Sequence, residues 1–257
     1  MVNIKNILKF SSIFLILFQF SCVQNKQREN IIVASAGKIE SLDPAQATTL
    51  RSLQILSALG DTLYKINNEG NLSPILAKDL PKVSISGLLI DIPLRENISF
   101  HDGSIFNAKA MKFSLNRFMK IGTLNYLLND KIEAIEVKDD YLLRIKLKNP
   151  SSSINSLLTS VNLTPVSPNS YSNYIDKFNN KNFIGTGPYI LESFSPTQQI
   201  IKPFINYWGK KPVNKGIDFI NYNTSTTLFG AIKTKEVDVL ISNSIDDIHR
   251  IALNNMV

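Results

Sequence analysis

The 257-residue sequence has one cysteine, two histidines and one tryptophan. A single cysteine rules out an intrachain disulfide framework. His101 and His249 are the only imidazoles, and no His/Cys/acid group has ligand spacing, so no metal site is expected. No Gly-x-Ser-x-Gly turn is present to carry a serine nucleophile, and no glycine-rich loop is followed by a Lys-Ser/Thr pair to cradle phosphate. No catalytic residue and no cofactor is therefore expected, and the reading is non-enzymatic. The formal charge is +7, and Lys5 and Lys9 supply two of those charges within the first 21 residues. The remainder is spread along the chain without a Lys/Arg block, so nucleic acid is not an expected partner.

Ordinary globular material is present: 44% hydrophobic and 19% charged residues, in a chain long enough for one or two domains. The one long apolar run, Phe10 to Phe20, follows a short basic start and precedes Ser21-Cys22. That layout is a secretory signal over residues 1–21, too short to span a bilayer comfortably. Ser21-Cys22 resembles a lipoprotein processing site, which would make Cys22 the lipidated first residue of the mature protein, with residues 22–30 as a polar tether. Gln19 departs from the apolar residue usual at that point.

Downstream, Leu88, Ile90, Ile92 and Leu94 alternate with the period of a strand that has one buried face. His101-Asp102-Gly103 supplies turn chemistry, and Asn107 is a good N-cap. Ala108, Met111, Leu115 and Phe118 then mark one face of a helix. Ile132–Val137 and Tyr141–Leu147 read as a hairpin over Lys138-Asp139-Asp140. Val161 to Pro168 reads as an extended connection because two prolines discourage helix. Asp43-Pro44 reads as a plain turn. A helix over Leu50–Leu63 closes near Gly60, and a late helix runs from Ser225 to Lys235 before a strand from Glu236 to Ile241.

The run from Leu94 to Arg117, the segment Gly185-Thr186-Gly187-Pro188-Tyr189 and the segment Asn206-Tyr207-Trp208-Gly209 with Pro212 occur in that order. Together they resemble the family 5 extracellular solute-binding proteins, the oligopeptide, dipeptide and nickel receptors of ABC importers. At Ala110 the family usually carries an acidic residue. The resemblance implies an α+β fold, a periplasmic-binding-protein-like lobe of class II, dipeptide-binding type, with an inserted smaller α/β subdomain. Domain I is expected over 31–62 and 166–244, and domain II over 63–165. Residues 245–257 would begin a second lobe that is otherwise missing, so the sequence resembles the N-terminal half of a family member.

By family position, Thr48 and Leu50 would line the cleft, Tyr126 would reach it from the smaller subdomain, and Ser242 and Asn243 would lie at the hinge. The implied function is solute capture outside the cytoplasmic membrane for a peptide-type ABC transporter. Its partners would be a peptide or similar small solute, the permease and ATPase subunits, and the membrane through a lipid anchor. Scaffold motifs do not read ligand chemistry, so nickel, haem or an oligosaccharide stay open as ligands. With one lobe, weak or no binding is expected unless a second polypeptide completes the cleft. The alternatives are a non-transporting surface lipoprotein that keeps one lobe as an interaction module, and a degraded product expected to be insoluble.

Overall fold

Among the described residues, alternating apolar residues build two larger sheets beside a two-stranded one, and one helix seals each buried face of the larger two. The computed structural model describes residues 29–37, 39, 41–170 and 183–242. In chain order the elements are β1 (Ile31–Ala36), α1 (Leu50–Leu59), β2 (Tyr64–Ile66), β3 (Leu72–Pro74), β4 (Lys82–Val83), β5 (Leu89–Pro93), α2 (Ala108–Ile121) and α3 (Tyr126–Asn129). They continue with β6 (Ile132–Asp139), β7 (Leu142–Leu147), α4 (Ser153–Leu157), β8 (Tyr189–Phe194), β9 (Gln198–Pro203), β10 (Ile217–Tyr222), α5 (Ser225–Lys233) and β11 (Val239–Ile241).

The first sheet has the order β11-β1-β10-β9-β8. β1 lies parallel to both β10 and β11, while β9 and β8 run antiparallel beside them. α1 buries Ile55, Leu56 and Leu59 with Leu42, Val166, Phe183, Leu191 and Ile201. α5 buries Leu228 and Ala231 against Ala34 and Val237, separately from the α1 cluster. Each such aliphatic side chain removed from water stabilises the fold by about 1.5–3 kcal/mol before entropy is counted.

The second sheet, β4-β5-β7-β6, is antiparallel. Its inward residues Ile90, Ile92, Leu143, Ile145 and Leu147 pack with Met111, Leu115 and Phe118 of α2, and with Phe100 and Phe106. The period-two and helical readings of the sequence thus describe the two sides of one core. α2 begins where Asn107 predicts: the Asn107 side chain accepts from the Ala110 N–H at 3.0 Å. The cap forms with alanine at position 110.

Three readings are corrected. Val161–Leu163 and Pro168–Ser170 are 3₁₀ turns inside the segment expected to be extended. Ser160 caps the first by accepting from the Asn162 N–H, and a proline in a helical first turn loses only an amide that would have no partner there. The helix that begins at Ser225 stops at Lys233, and Lys235 takes φ +59° before the strand begins at Val239 rather than Glu236. Asp43-Pro44 forms the expected turn, but Asp43 is fully buried and paired, as described below.

Candidate functional site

Parallel strands point their carboxyl ends at one edge of a sheet, where loops have room to form a crevice. Here β1 ends at Ala36 and runs into Gly37, and β11 ends beside it, with Ser35 opposite Ile241. Ser242 follows directly and is half-buried. The loop after β1 leads to Thr49, which caps α1 by accepting from the Ser52 N–H. Thr48 and Leu50 flank this cap and are exposed, Leu50 by 52%.

What fixes this loop is a set of groups from distant elements. The Asp43 carboxylate accepts from the Ala45 N–H, and the Asp43 carbonyl accepts from the Gln46 and Ala47 N–H groups. The same carboxylate takes both terminal nitrogens of Arg117 from α2, at 2.7 and 2.5 Å, with both side chains at most 2% exposed. Asn162 Nδ2 donates to the Pro44 and Ala47 carbonyls, each at 2.8 Å. The Thr123 N–H donates to the Ala45 carbonyl at 2.9 Å. A loop held this way presents its outward side chains with little freedom, which lowers the ordering cost of binding.

The Thr123 bond also brings α3 to this loop. Tyr126, three residues later, opens α3 and is 53% exposed. The structure therefore tethers the Thr48/Leu50 loop and the Tyr126 loop to one another, and places Ser242 at the end of the strand next to β1. Asn243 and Cys22 lie outside the described residues.

Behind the loop, the first and second sheets are clamped. Gly187 N–H donates to the Leu59 carbonyl, and a Cβ at Gly187 would stand 2.5 Å from the Gly60 nitrogen and the Leu59 carbonyl carbon. His101 accepts at Nδ1 from the Gly185 N–H and so donates from Nε2 to the Gly187 carbonyl at 3.1 Å. Burial pulls the His101 pKa down to about 4, against the opposing pull of that carbonyl and of Asp102. Asp102 accepts instead from Ser104 and Ser167, each at 2.6 Å, so these residues form no Ser-His-Asp relay. Asp61 accepts from Trp208 Nε1 at 3.0 Å, from Tyr207 at 3.1 Å and from Thr186 at 3.2 Å. Burial raises the Asp61 pKa in spite of those three donors. Trp208 is thus a packing and anchoring residue, with Arg95 stacked over its ring.

Sequence reading missed Arg117, Asn162 and Arg51, whose guanidinium lies against Gly37 at the end of β1. Arg117 stands one place from the apolar stripe of α2, which is a weak hint of burial. Its partner lies 74 residues away, and nothing local joins them. Among the described residues, no group of three or more His, Cys, Asp and Glu could hold a metal ion, and no helix is long and apolar enough to cross a membrane.

The sequence model for bacterial extracellular solute-binding proteins, family 5 Middle, matches residues 71–257. The glutathione-binding protein GsiB of Escherichia coli O6:K15:H31 (strain 536 / UPEC) is 31% identical over 183 residues, which is 70% of this chain and 35% of that protein. An ABC transporter substrate-binding protein from Sinorhizobium meliloti superposes with TM-score 0.70 at 27% identity, covering 81% of this chain and 42% of that one. The periplasmic binding protein DppA from Helicobacter pylori, in complex with peptide STSA, superposes with TM-score 0.75 at 24% identity, over 86% of this chain and 48% of its own. That last likeness speaks for the fold alone. The chain spans about a third of the length of the curated relatives it matches and under half of these two solved chains. On the match to its sequence model, reinforced by these relatives, the chain belongs to the bacterial extracellular solute-binding proteins, family 5.

Proposed function

We propose that this chain supplies the first lobe of a solute-capture lipoprotein that hands short peptides or peptide-like solutes to the permease and ATPase of an ABC importer. The observation that carries the reading is the anchored loop at the carboxyl ends of β1 and β11, which presents Thr48 and Leu50 and is tied through Thr123 to the loop bearing Tyr126. Thr48 offers a hydroxyl, Leu50 an apolar contact and Tyr126 an apolar body with a hydrogen-bonding tip. Ser242 and Asn243 serve as the hinge in this account. A relative at 31% identity is named for glutathione, which supports a peptide-like ligand.

Within the same reading, residues 31–62 and 166–244 act as domain I and 63–165 as domain II. Cys22 carries the lipid that holds the receptor at the outer side of the cytoplasmic membrane. The test is a thermal melt of the 257-residue chain against glutathione and a pool of di- to pentapeptides, alone and with the product of any adjacent reading frame. Capture predicts a melting temperature that rises with ligand concentration. A cooperative melt that no ligand moves in either setting overturns the reading and favours a surface lipoprotein with an interaction role.

A further inference from the structure

Four arginines fall among the described residues, and three have obvious partners. Arg117 grips Asp43, Arg144 forms a two-pronged pair with Asp91 at 2.6 and 2.7 Å, and Arg95 donates to the Ile75 carbonyl and lies over Trp208. Arg51 has none: no carboxylate, carbonyl or ring among the described residues takes its guanidinium. It is nevertheless half-buried, laid against the chain at Gly37, where a Cβ would stand 3.4 Å from Cζ and 3.6 Å from Nη2. Its position is the second residue of α1, next to Leu50 and three from Thr48.

Among the described residues, the surroundings do not compensate the charge. α1 contains no acidic residue, and the only acid in the described loop from Ser41 to Thr49 is Asp43, which is fully buried and engaged by Arg117. Burial lowers the Arg51 pKa from its ordinary value, with no carboxylate of the described residues opposing it. A partly desolvated cation that no described carboxylate neutralises is unfavourable, and an arriving anion removes that penalty. The positive end of α1 adds to the same field. A guanidinium also matches a carboxylate in shape, with two parallel N–H donors.

We infer that Arg51 is a specificity-determining residue that receives a carboxylate of the captured solute at the mouth of the Thr48/Leu50 loop. The inference rests on the capture reading above and narrows it to acidic ligands. The carboxylate could be the carboxyl terminus of a peptide or an acidic side chain, which are the same chemistry presented from two places.

The experiment measures calorimetric binding of trialanine, trialanine amide and alanyl-glutamyl-alanine amide to the wild-type chain, with any adjacent-frame product present, and to Arg51→Gln and Arg51→Lys. The wild type is expected to bind at least one carboxylate-bearing peptide about tenfold or more tightly than trialanine amide. Tight binding of trialanine identifies the terminal carboxylate, and tight binding of the glutamyl amide identifies the side chain. Arg51→Gln should erase the preference while melting at the wild-type temperature, since Arg51 holds no described residue in place, and Arg51→Lys should restore part of it. Binding of all three peptides alike by the wild type, or a preference that survives in Arg51→Gln, overturns the role of Arg51 and leaves capture standing. Failure of every peptide to bind the wild type overturns capture, and this inference with it.

Discussion

At the scale of single residues, the site is held by charges that sequence pattern could not pair. Asp43 before Pro44 has the look of any turn residue, and Arg117 that of a solvated helix cation. Together they form a two-pronged pair sealed from water. Truncating one partner leaves the other buried and uncompensated, so Arg117→Leu should lower stability by about 3–5 kcal/mol in urea unfolding. Replacing both residues with apolar ones should cost much less, and equal losses in the single and double variants would contradict the pairing. His101 makes a second prediction. Its folded pKa of about 4 lies below the roughly 6.5 of an unfolded chain. Its contribution is therefore complete above about pH 6.5 and is lost as pH falls toward 4, by up to about 3 kcal/mol. Asp61, raised by burial, works in the opposite sense, so the comparison is made against His101→Gln, whose urea midpoint should fall less between pH 7 and 4.5. Parallel pH profiles for the two proteins would refute the assignment.

At the scale of elements, more was legible. The alternation around Ile90 and Ile92 and the three-and-four spacing from Ala108 to Phe118 both encode burial on one side, and each element buries that side. Caps were legible for the same reason, because Asn107 and its first turn are local in sequence. Asn107→Ala should cost about 1 kcal/mol of stability, and Asn107→Ser close to none. Short 3₁₀ turns were not legible, because one or two hydrogen bonds decide them and no periodicity marks them. In the Gly185–Tyr189 segment a residue without a side chain lets another backbone come close, and the structure supplies the surface approached. Gly187 lies against the last residues of α1, whose backbone cannot swing aside as a flexible side chain could. Gly187→Ala should therefore destabilise by about 1–3 kcal/mol through overpacking, read from the thermal midpoint. An unchanged midpoint would mean that α1 shifts freely against β8.

At the scale of the molecule, two sheets with separate cores meet through polar clamps: Asp43 with Arg117, His101 with the Gly185 and Gly187 backbone, and Asp61 with Trp208, Tyr207 and Thr186. The family and α+β architecture could be recognised in sequence because scaffold motifs are contiguous. The loop anchors could not, since Asp43, Thr123 and Asn162 come from three distant parts of the chain. The central claim is that this scaffold captures a peptide-like solute at the carboxyl ends of β1 and β11. Hydrogen exchange of the chain, with any adjacent-frame product, with and without the peptide pool tests it most directly. The account predicts added protection in residues 43–52, 123–128 and 239–242 while β5 to β7 stay unchanged. Protection confined to β5–β7, or none at saturating peptide, would contradict it.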